Sequence, residues 1–296
     1  MADWTMIGVP TSAGAHHAGQ DLAPAALRKA GLADRLTAAG VGVTDGGDLP
    51  GSVFAVDREH PLARNLGAVT RVAGEVADAV AAVASTGGRP LVLGGDCTIT
   101  IGVVAGLRRS HPRVGLVYVD GDSDLNASGE DRSGILDSAG IAHLLGQGAP
   151  ELAGLGGTPP LLTPERLALV GCDPRESTAE QKQFLAEAGI SLSDNATLSA
   201  DPEGAAQRAL AALAGQAEPL VVHFDVDVVD SGDLPLGNFP HYGSGVSLDQ
   251  AVRAVRVLAA HPACAALVLT EVNPTYDPDG RLIDRYVDGI VSALSG

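Results

Sequence analysis

VGLVYVDGDSDLN, residues 114–126, is the stretch whose reading decides the fold. Its first half, Val114 to Val119, is a short apolar run rich in Val with one Tyr, which predicts a buried strand. Three alternate acids follow: Asp120, Asp122 and Asp124. At the carboxyl end of a strand in an α/β protein the backbone opens into the crevice where ligands bind. If residues 120–124 stay extended, side chains two apart share a face, and all three carboxylates are expected to converge. Crowded anions repel one another unless a cation neutralises them. The alternation therefore reads either as a solvated acidic loop or as the wall of a cation site.

Working outward, the same grammar repeats. Residues 5–10 (TMIGVP) predict a first strand, followed by a loop rich in Gly and His, with His16 and His17, over residues 11–19. Pro24 suits a first helical turn, and the pattern after it predicts a helix closed by Gly40. Strands are expected at 41–44, 90–93, 167–171, 219–224 and 265–269, and helices at 62–85, 98–109, 178–189, 202–215, 248–261 and 282–294. Thr178 with Gln181 three residues on is the signature of a capping box. Residues 127–134 read as a Gly/Ser loop. Strand and helix alternate throughout with no linker, repeat or low-complexity segment. The expectation is a single domain, residues 1–296, of class α/β with a parallel sheet covered on both faces.

Composition narrows the function classes. Of 296 residues, 45% are hydrophobic and 19% charged, which predicts a globular, soluble chain with an ample core. Aromatic residues are only 3%, so Ala, Val and Leu must fill that core. A net charge of −17 argues against binding to nucleic acid or anionic membranes and suits attraction of cations. Three scattered cysteines, Cys97, Cys172 and Cys264, do not form a disulfide framework. With no leader and no apolar run of about 18 residues, a cytoplasmic location is expected.

Acids mark four predicted strand ends: Asp96 beside Cys97, the Asp120/Asp122/Asp124 group, Asp225 with Asp227 (and Asp230 beyond), and Glu271. Acids are costly to bury unpaired, and two alternating clusters facing one crevice suit two cations bridged by carboxylates. These residues sit in a longer set of motifs: IGVP at 7–10, G-x-x-x-A-P-x-x-L-R at 19–28, GGD at 94–96, the D-x-x-x-D frame of Asp120 and Asp124, DVD at 225–227 and EVNP at 271–274. In their order and spacing the chain resembles the ureohydrolase family of arginase, agmatinase and formiminoglutamase over nearly its whole length. The resemblance implies a three-layer α/β/α sandwich with a central, mostly parallel sheet. It also implies a binuclear site for two Mn²⁺, and a homo-oligomer (trimer or hexamer). The reaction implied is hydrolysis of a C–N bond in a guanidino or amidine compound, modified arginines included, by a hydroxide bridging the metals.

Carried over residue by residue, the resemblance assigns Cys97, Asp120, Asp124 and Asp225 to one metal, and Asp120, Asp122, Asp225 and Asp227 to the other. Asp124 would orient the attacking water and Glu271 would hold the guanidinium, which a carboxylate suits through paired hydrogen bonds. Asn126, Ser133 and Asp173 align with substrate contacts. Three family histidines are replaced, by Cys97, Asp122 and Asp137. Thiolate and carboxylate both ligate metals, yet the exchange leaves a surplus of roughly two negative charges over two divalent ions. That makes the cations weaker Lewis acids and predicts a raised pH optimum. Asp137, in the place of a proton-shuttling histidine, needs a raised pKa to serve. The alternative reading is a catalytically altered or inactive protein of this fold, with a metal-poor site and a binding or assembly role. His223 reads as a partner behind Asp225 or a satisfied core histidine, and His241 and Tyr242 as rim residues.

Overall fold

The computed structural model describes residues 3–126 and 133–296; most of the expected Gly/Ser loop at 127–134 lies outside the described residues. Eight strands build one sheet: β1 (Trp4–Gly8), β2 (Val43–Asp48), β3 (Arg89–Leu93), β4 (Gly115–Val119), β5 (Leu167–Val170), β6 (Ser191–Ser193), β7 (Leu220–Asp225) and β8 (Cys264–Thr270). Their order is β2-β1-β3-β8-β7-β4-β5-β6, and every pairing is parallel. The central strands are apolar at nearly every position because both faces of a parallel sheet are covered. Along β3, Leu91 and Leu93 enter one core while Val92 enters the other. Along β4, Val117 and Val119 face the first core, and Leu116 and Tyr118 the second. The edge strands differ: β2 reads VTDGGD and is largely exposed, and polar edges discourage pairing with other chains.

The helices form the outer layers. On the first face lie α1 (Ala23–Lys29) and α2 (Leu32–Ala38). On the second lie α3 (Leu66–Ser85), α4 (Ile99–Arg108), the short α5 (Gly140–Leu144) and α6 (Pro150–Ala153), and α7 (Ala179–Ala188). The first face is completed by α8 (Asn195–Ala200), α9 (Pro202–Leu213), α10 (Leu248–Ala260) and α11 (Arg281–Leu294). Among the described residues no helix is long and apolar enough to cross a membrane.

Three differences from the sequence expectation have physical causes. The helix expected up to Gly40 is two helices, because Gly31 takes a left-handed φ of 78° between α1 and α2. The helix expected from 62 starts at Leu66, after Asn65 turns left-handed and donates its side-chain amide to the carbonyls of Ala13 and Ala55. The strand β6 and helix α8 have too little apolar periodicity to be read; Asp194 caps α8 through Thr197 N. The capping box of Thr178 and Gln181 does start α7.

The sheet order matters most for function. Strands β3, β8, β7 and β4 are contiguous, so the four acid-bearing carboxyl ends lie side by side. Gly94-Gly95 permits the turn off β3: a Cβ on Gly95 would lie 1.9 Å from the Thr11 carbonyl oxygen, an impossible approach.

Candidate active site

A crevice of about 850 Å³ opens above those four ends. Asp120, Asp122, Asp124, Cys97, Asp137, Asp225, Asp227 and Glu271 line it, with Asn126 and Ser133 nearer its mouth. No Lys or Arg is among the described residues that line it. Asp173 is not among them either: it is buried, and Arg175 clamps its carboxylate with contacts of 2.7–3.1 Å.

The acid loop after β4 is not extended. Asp124 has a left-handed φ of 48°, which overturns the expectation that alternation along an extended chain aligns the three carboxylates. Convergence comes from a turn. Asp120 Oδ1 accepts from Asp122 N at 2.6 Å, and Asp122 Oδ1 accepts from Ser123 N at 2.6 Å. Asp124 Oδ2 accepts from the Tyr118 hydroxyl beneath it. The left-handed φ recurs at Glu271 (63°), just after the carboxyl end of β8. Non-glycine residues pay about 1–3 kcal/mol to stay there, and such strain gathers at functional sites.

The second acid group is organised the same way. Asp225 Oδ1 accepts from Asp227 N at 2.8 Å, and Asp227 Oδ1 accepts from Gly121 N at 3.2 Å, which ties the ends of β7 and β4 together. A Cβ at Gly121 would be tight, 3.0 Å from His241 Nε2 and 3.2 Å from the Asp227 carbonyl oxygen, so these neighbours would have to give by a few tenths of an ångström. Cys97 Sγ donates to Asp225 Oδ2 at 2.6 Å, and Cys97 N donates to Asp137 Oδ1 at 2.7 Å. Two nearby acids are spent on loop structure instead. Asp96 accepts from Gly14 N, Thr98 N and the Thr98 hydroxyl, and Asp230 accepts from the backbone of Gly232, Gly243 and Ser244.

Burial raises the carboxyls of Asp120, Asp124, Asp225 and Glu271 well above the usual range, and repulsion from neighbouring acids adds to it. Asp122 is pushed to about 6 by burial and by Asp227, against the Ser123 N–H. Asp137 is pushed to about 8, by burial first and Asp96 second. Burial and the Asp225 charge hold the Cys97 thiol well above 9. His223 is depressed by burial to about 3, so its imidazole is neutral. At His241 burial works against the cation, but Asp227, whose Oδ2 lies 3.8 Å from Nε2, outweighs it and the pKa is raised. A cluster of buried acids with no Lys or Arg among the described lining residues is what divalent cations neutralise. The donors present, carboxylate, thiol and neutral imidazole, fit such ions.

Several residues of the site were not legible in the sequence. Gln20 Nε2 donates to Glu271 Oε2 at 2.8 Å across 251 positions. Gln181, identified only as a cap, also donates from Nε2 to Asn126 Oδ1 at 2.7 Å, so the start of α7 fixes a rim residue. Of the two first-loop histidines that the sequence singled out, His16 lines the crevice and His17 is not among the described residues that line it. The Pro-x-x-Leu-Arg motif proves structural at Arg28, which pairs with Asp45 at 2.7 Å and with Asp48 on β2.

Comparison with known proteins agrees with this geometry. The arginase family's profile matches residues 2–293. The chain is 31% identical over 280 residues to the arginase of Bacillus caldovelox, covering 92% of this chain and 91% of that protein. It is 27% identical over 292 residues to arginase-1 of Homo sapiens, covering 97% and 90%. The solved structure of the Bacillus caldovelox arginase superposes with a TM-score of 0.88 at 28% identity, over 99% of this chain and 98% of that one. A Trypanosoma cruzi formiminoglutamase shares the fold, with a TM-score of 0.75 at 20% identity over 99% and 93%.

Proposed function

Because the chain belongs to the arginase family of hydrolases, we propose that it cleaves a C–N bond of a guanidino or amidine compound in this crevice. Glu271 is the observation that carries the reading. Its Oε2 is held by Gln20, and its buried Oε1 finds no donor among the described residues other than a proton shared with Asp137. A planar cation with N–H donors satisfies that oxygen and its charge together. Residues 1–296 would form one domain, and family kinship is the ground for a cytoplasmic homo-oligomer, a trimer or hexamer.

In the family's pattern Cys97, Asp120, Asp124 and Asp225 would hold one cation and Asp120, Asp122, Asp225 and Asp227 the other, with Mn²⁺ the family's ion. Two cations there would supply Lewis acidity that lowers the pKa of a nearby water. Asp124, its carboxylate aimed by the Tyr118 hydroxyl, orients that water and takes its proton. Asp137, protonated near neutrality when its pKa is about 8, has the proton a departing amine requires. Asn126 and Ser133 would meet the far end of an arginine-like substrate. Asp173 would reach it only by exchanging Arg175.

The test is metal analysis of the reconstituted chain, followed by urea and ammonia assays over a guanidino panel. A chain that takes up no cation would be an arginase-fold binding or assembly protein instead. Glu271→Gln keeps the shape and removes the charge. Unpairing a buried charge costs about 2–5 kcal/mol, so kcat/KM should fall about 30-fold or more. An unchanged kcat/KM would remove Glu271 from substrate binding. The surplus of anionic donors should leave kcat still rising above pH 7, and loss of the Asp137 proton near pH 8 should then turn it down; a rate already maximal at pH 7 would contradict the surplus, and a rate that does not fall above about pH 8 would contradict Asp137 as the acid.

A further inference from the structure

A neutral imidazole stands inside the donor set at a position the family frame does not use. His223 lies on β7, on the same face as Asp225 and beneath the start of α4. Its Nε2 is 3.6 Å from Cys97 Sγ, 3.7 Å from Asp120 Oδ2 and 3.9 Å from Asp225 Oδ2. The ligand atoms of these four buried residues all lie within 4.8 Å of one another. A tetrahedral zinc site, with bonds of about 2.3 Å to sulfur and about 2.0–2.2 Å to nitrogen or oxygen, sets its donors roughly 3.3–3.6 Å apart. The imidazole already has close to that spacing.

The ring is also fixed as a ligand should be. Nδ1 lies 2.7 Å from the Thr100 hydroxyl oxygen on α4, and the ring stacks on Tyr118 at 3.9 Å between centroids. A hydrogen bond at one ring nitrogen presents the other to a metal. Besides the Cys97 thiol, Nε2 lies within hydrogen-bond distance of the Thr270 hydroxyl, at 3.2 Å. One donor pair is too close for a cation as it stands: Cys97 Sγ and Asp225 Oδ2 at 2.6 Å share the thiol proton, which metal binding would release to solvent. Cys97 belongs as well to a second group with Asp137 and Glu271.

We infer that this chain binds a zinc-class cation through Cys97, Asp120, His223 and Asp225, with the imidazole supplied from β7 and the thiolate from the loop after β3. Thiolate and imidazole select Zn²⁺ or Co²⁺, whereas all-oxygen donors suit Mn²⁺. The inference deepens the proposed metal centre and rests on the crevice being a cation site. It changes the ion and one ligand.

The test uses the full chain stripped with chelator and titrated with Co²⁺ as an optical probe, then with Zn²⁺. Co²⁺ should give a thiolate-to-metal absorption band in the near ultraviolet that Zn²⁺ displaces and equimolar Mn²⁺ does not. Cys97→Ser should abolish the band. His223→Asn should weaken Zn²⁺ binding more than 100-fold, beyond the roughly 10–100-fold expected of a residue that only orients a ligand. X-ray absorption on the unsubstituted zinc-loaded chain needs no variant: it should show sulfur at about 2.3 Å together with imidazole scattering that His223→Asn diminishes. A zinc shell without sulfur, or imidazole scattering unchanged in His223→Asn, overturns the inference. An active enzyme with an all-oxygen-and-nitrogen Mn²⁺ shell would overturn it and leave the hydrolase reading standing. Sulfur-ligated zinc with no hydrolysis of any guanidino compound would do the reverse.

Discussion

Stripped of divalent cations, the protein should lose stability steadily as the pH is raised from 5 to 8. Asp122 (about 6) and Asp137 (about 8) are raised in the folded state above the ordinary value of 3.8, and Asp120, Asp124, Asp225 and Glu271 are raised with them. Below about pH 4 both folded and unfolded chains are protonated and these groups contribute nothing. Above it the unfolded chain gives up its protons while the folded chain keeps them, until the pH passes each folded pKa. The native state therefore binds more protons throughout this window, and unfolding becomes easier with rising pH. One such proton is worth about 1.4 kcal/mol per pH unit, so Asp137 alone implies about 3 kcal/mol between pH 5 and pH 7.5. Added cation should raise the Tm more at pH 8 than at pH 5, because deprotonated ligands bind it better; at 100 times Kd the stabilisation is about 2.7 kcal/mol. Thermal unfolding of chelator-treated protein across this range checks it; a Tm that is flat or rising would show that these carboxyls are not buried against one another.

Asp225→Asn should separate stability from metal binding. Asp225 is buried and is repelled by Asp227, and its carboxyl is held well above the usual range. Replacing it with the neutral amide removes the cost of burying that carboxyl among other acids, where the described lining residues include no Lys or Arg. At pH 8 the metal-free variant should melt several degrees above the parent, since each kcal/mol is worth about 2–4 °C in a chain of 150–250 residues and somewhat less in a longer one. The same change removes a donor assigned to both cations, so added Zn²⁺ or Mn²⁺ should no longer raise the Tm and hydrolysis should be lost. Titration of both proteins with metal in a thermal-shift assay reads the two effects together. A variant less stable than the parent without metal would mean that the thiol bond from Cys97 outweighs the repulsion. A variant still stabilised by metal would remove Asp225 from the centre.

The sequence by itself determined the layered α/β class, because apolar runs at strand length alternate with helical periods in this chain. It also pointed to the acids that line the crevice, since acids at the ends of buried runs are too costly to be incidental. Asp120, Asp124, Asp225, Asp227 and Glu271 were all legible on that ground. Only the tertiary structure decided how they meet. In the chain β4 follows β3 and precedes β7 and β8, but in the sheet β8 and β7 lie between β3 and β4. That placement makes four separate acid ends one crevice, and no local pattern encodes it. The same holds for the partners of the acids: Gln20 reaches Glu271, and His223 reaches Cys97, across 251 and 126 positions. Around the opening stretch, the alternation of Asp120, Asp122 and Asp124 named the wall of the site correctly and its mechanism of convergence wrongly. The left-handed turn at Asp124, held by Tyr118 from below, does what an extended strand was expected to do. A backbone conformation sustained against its own strain depends on the packing around it, and so cannot be read from the residues that adopt it.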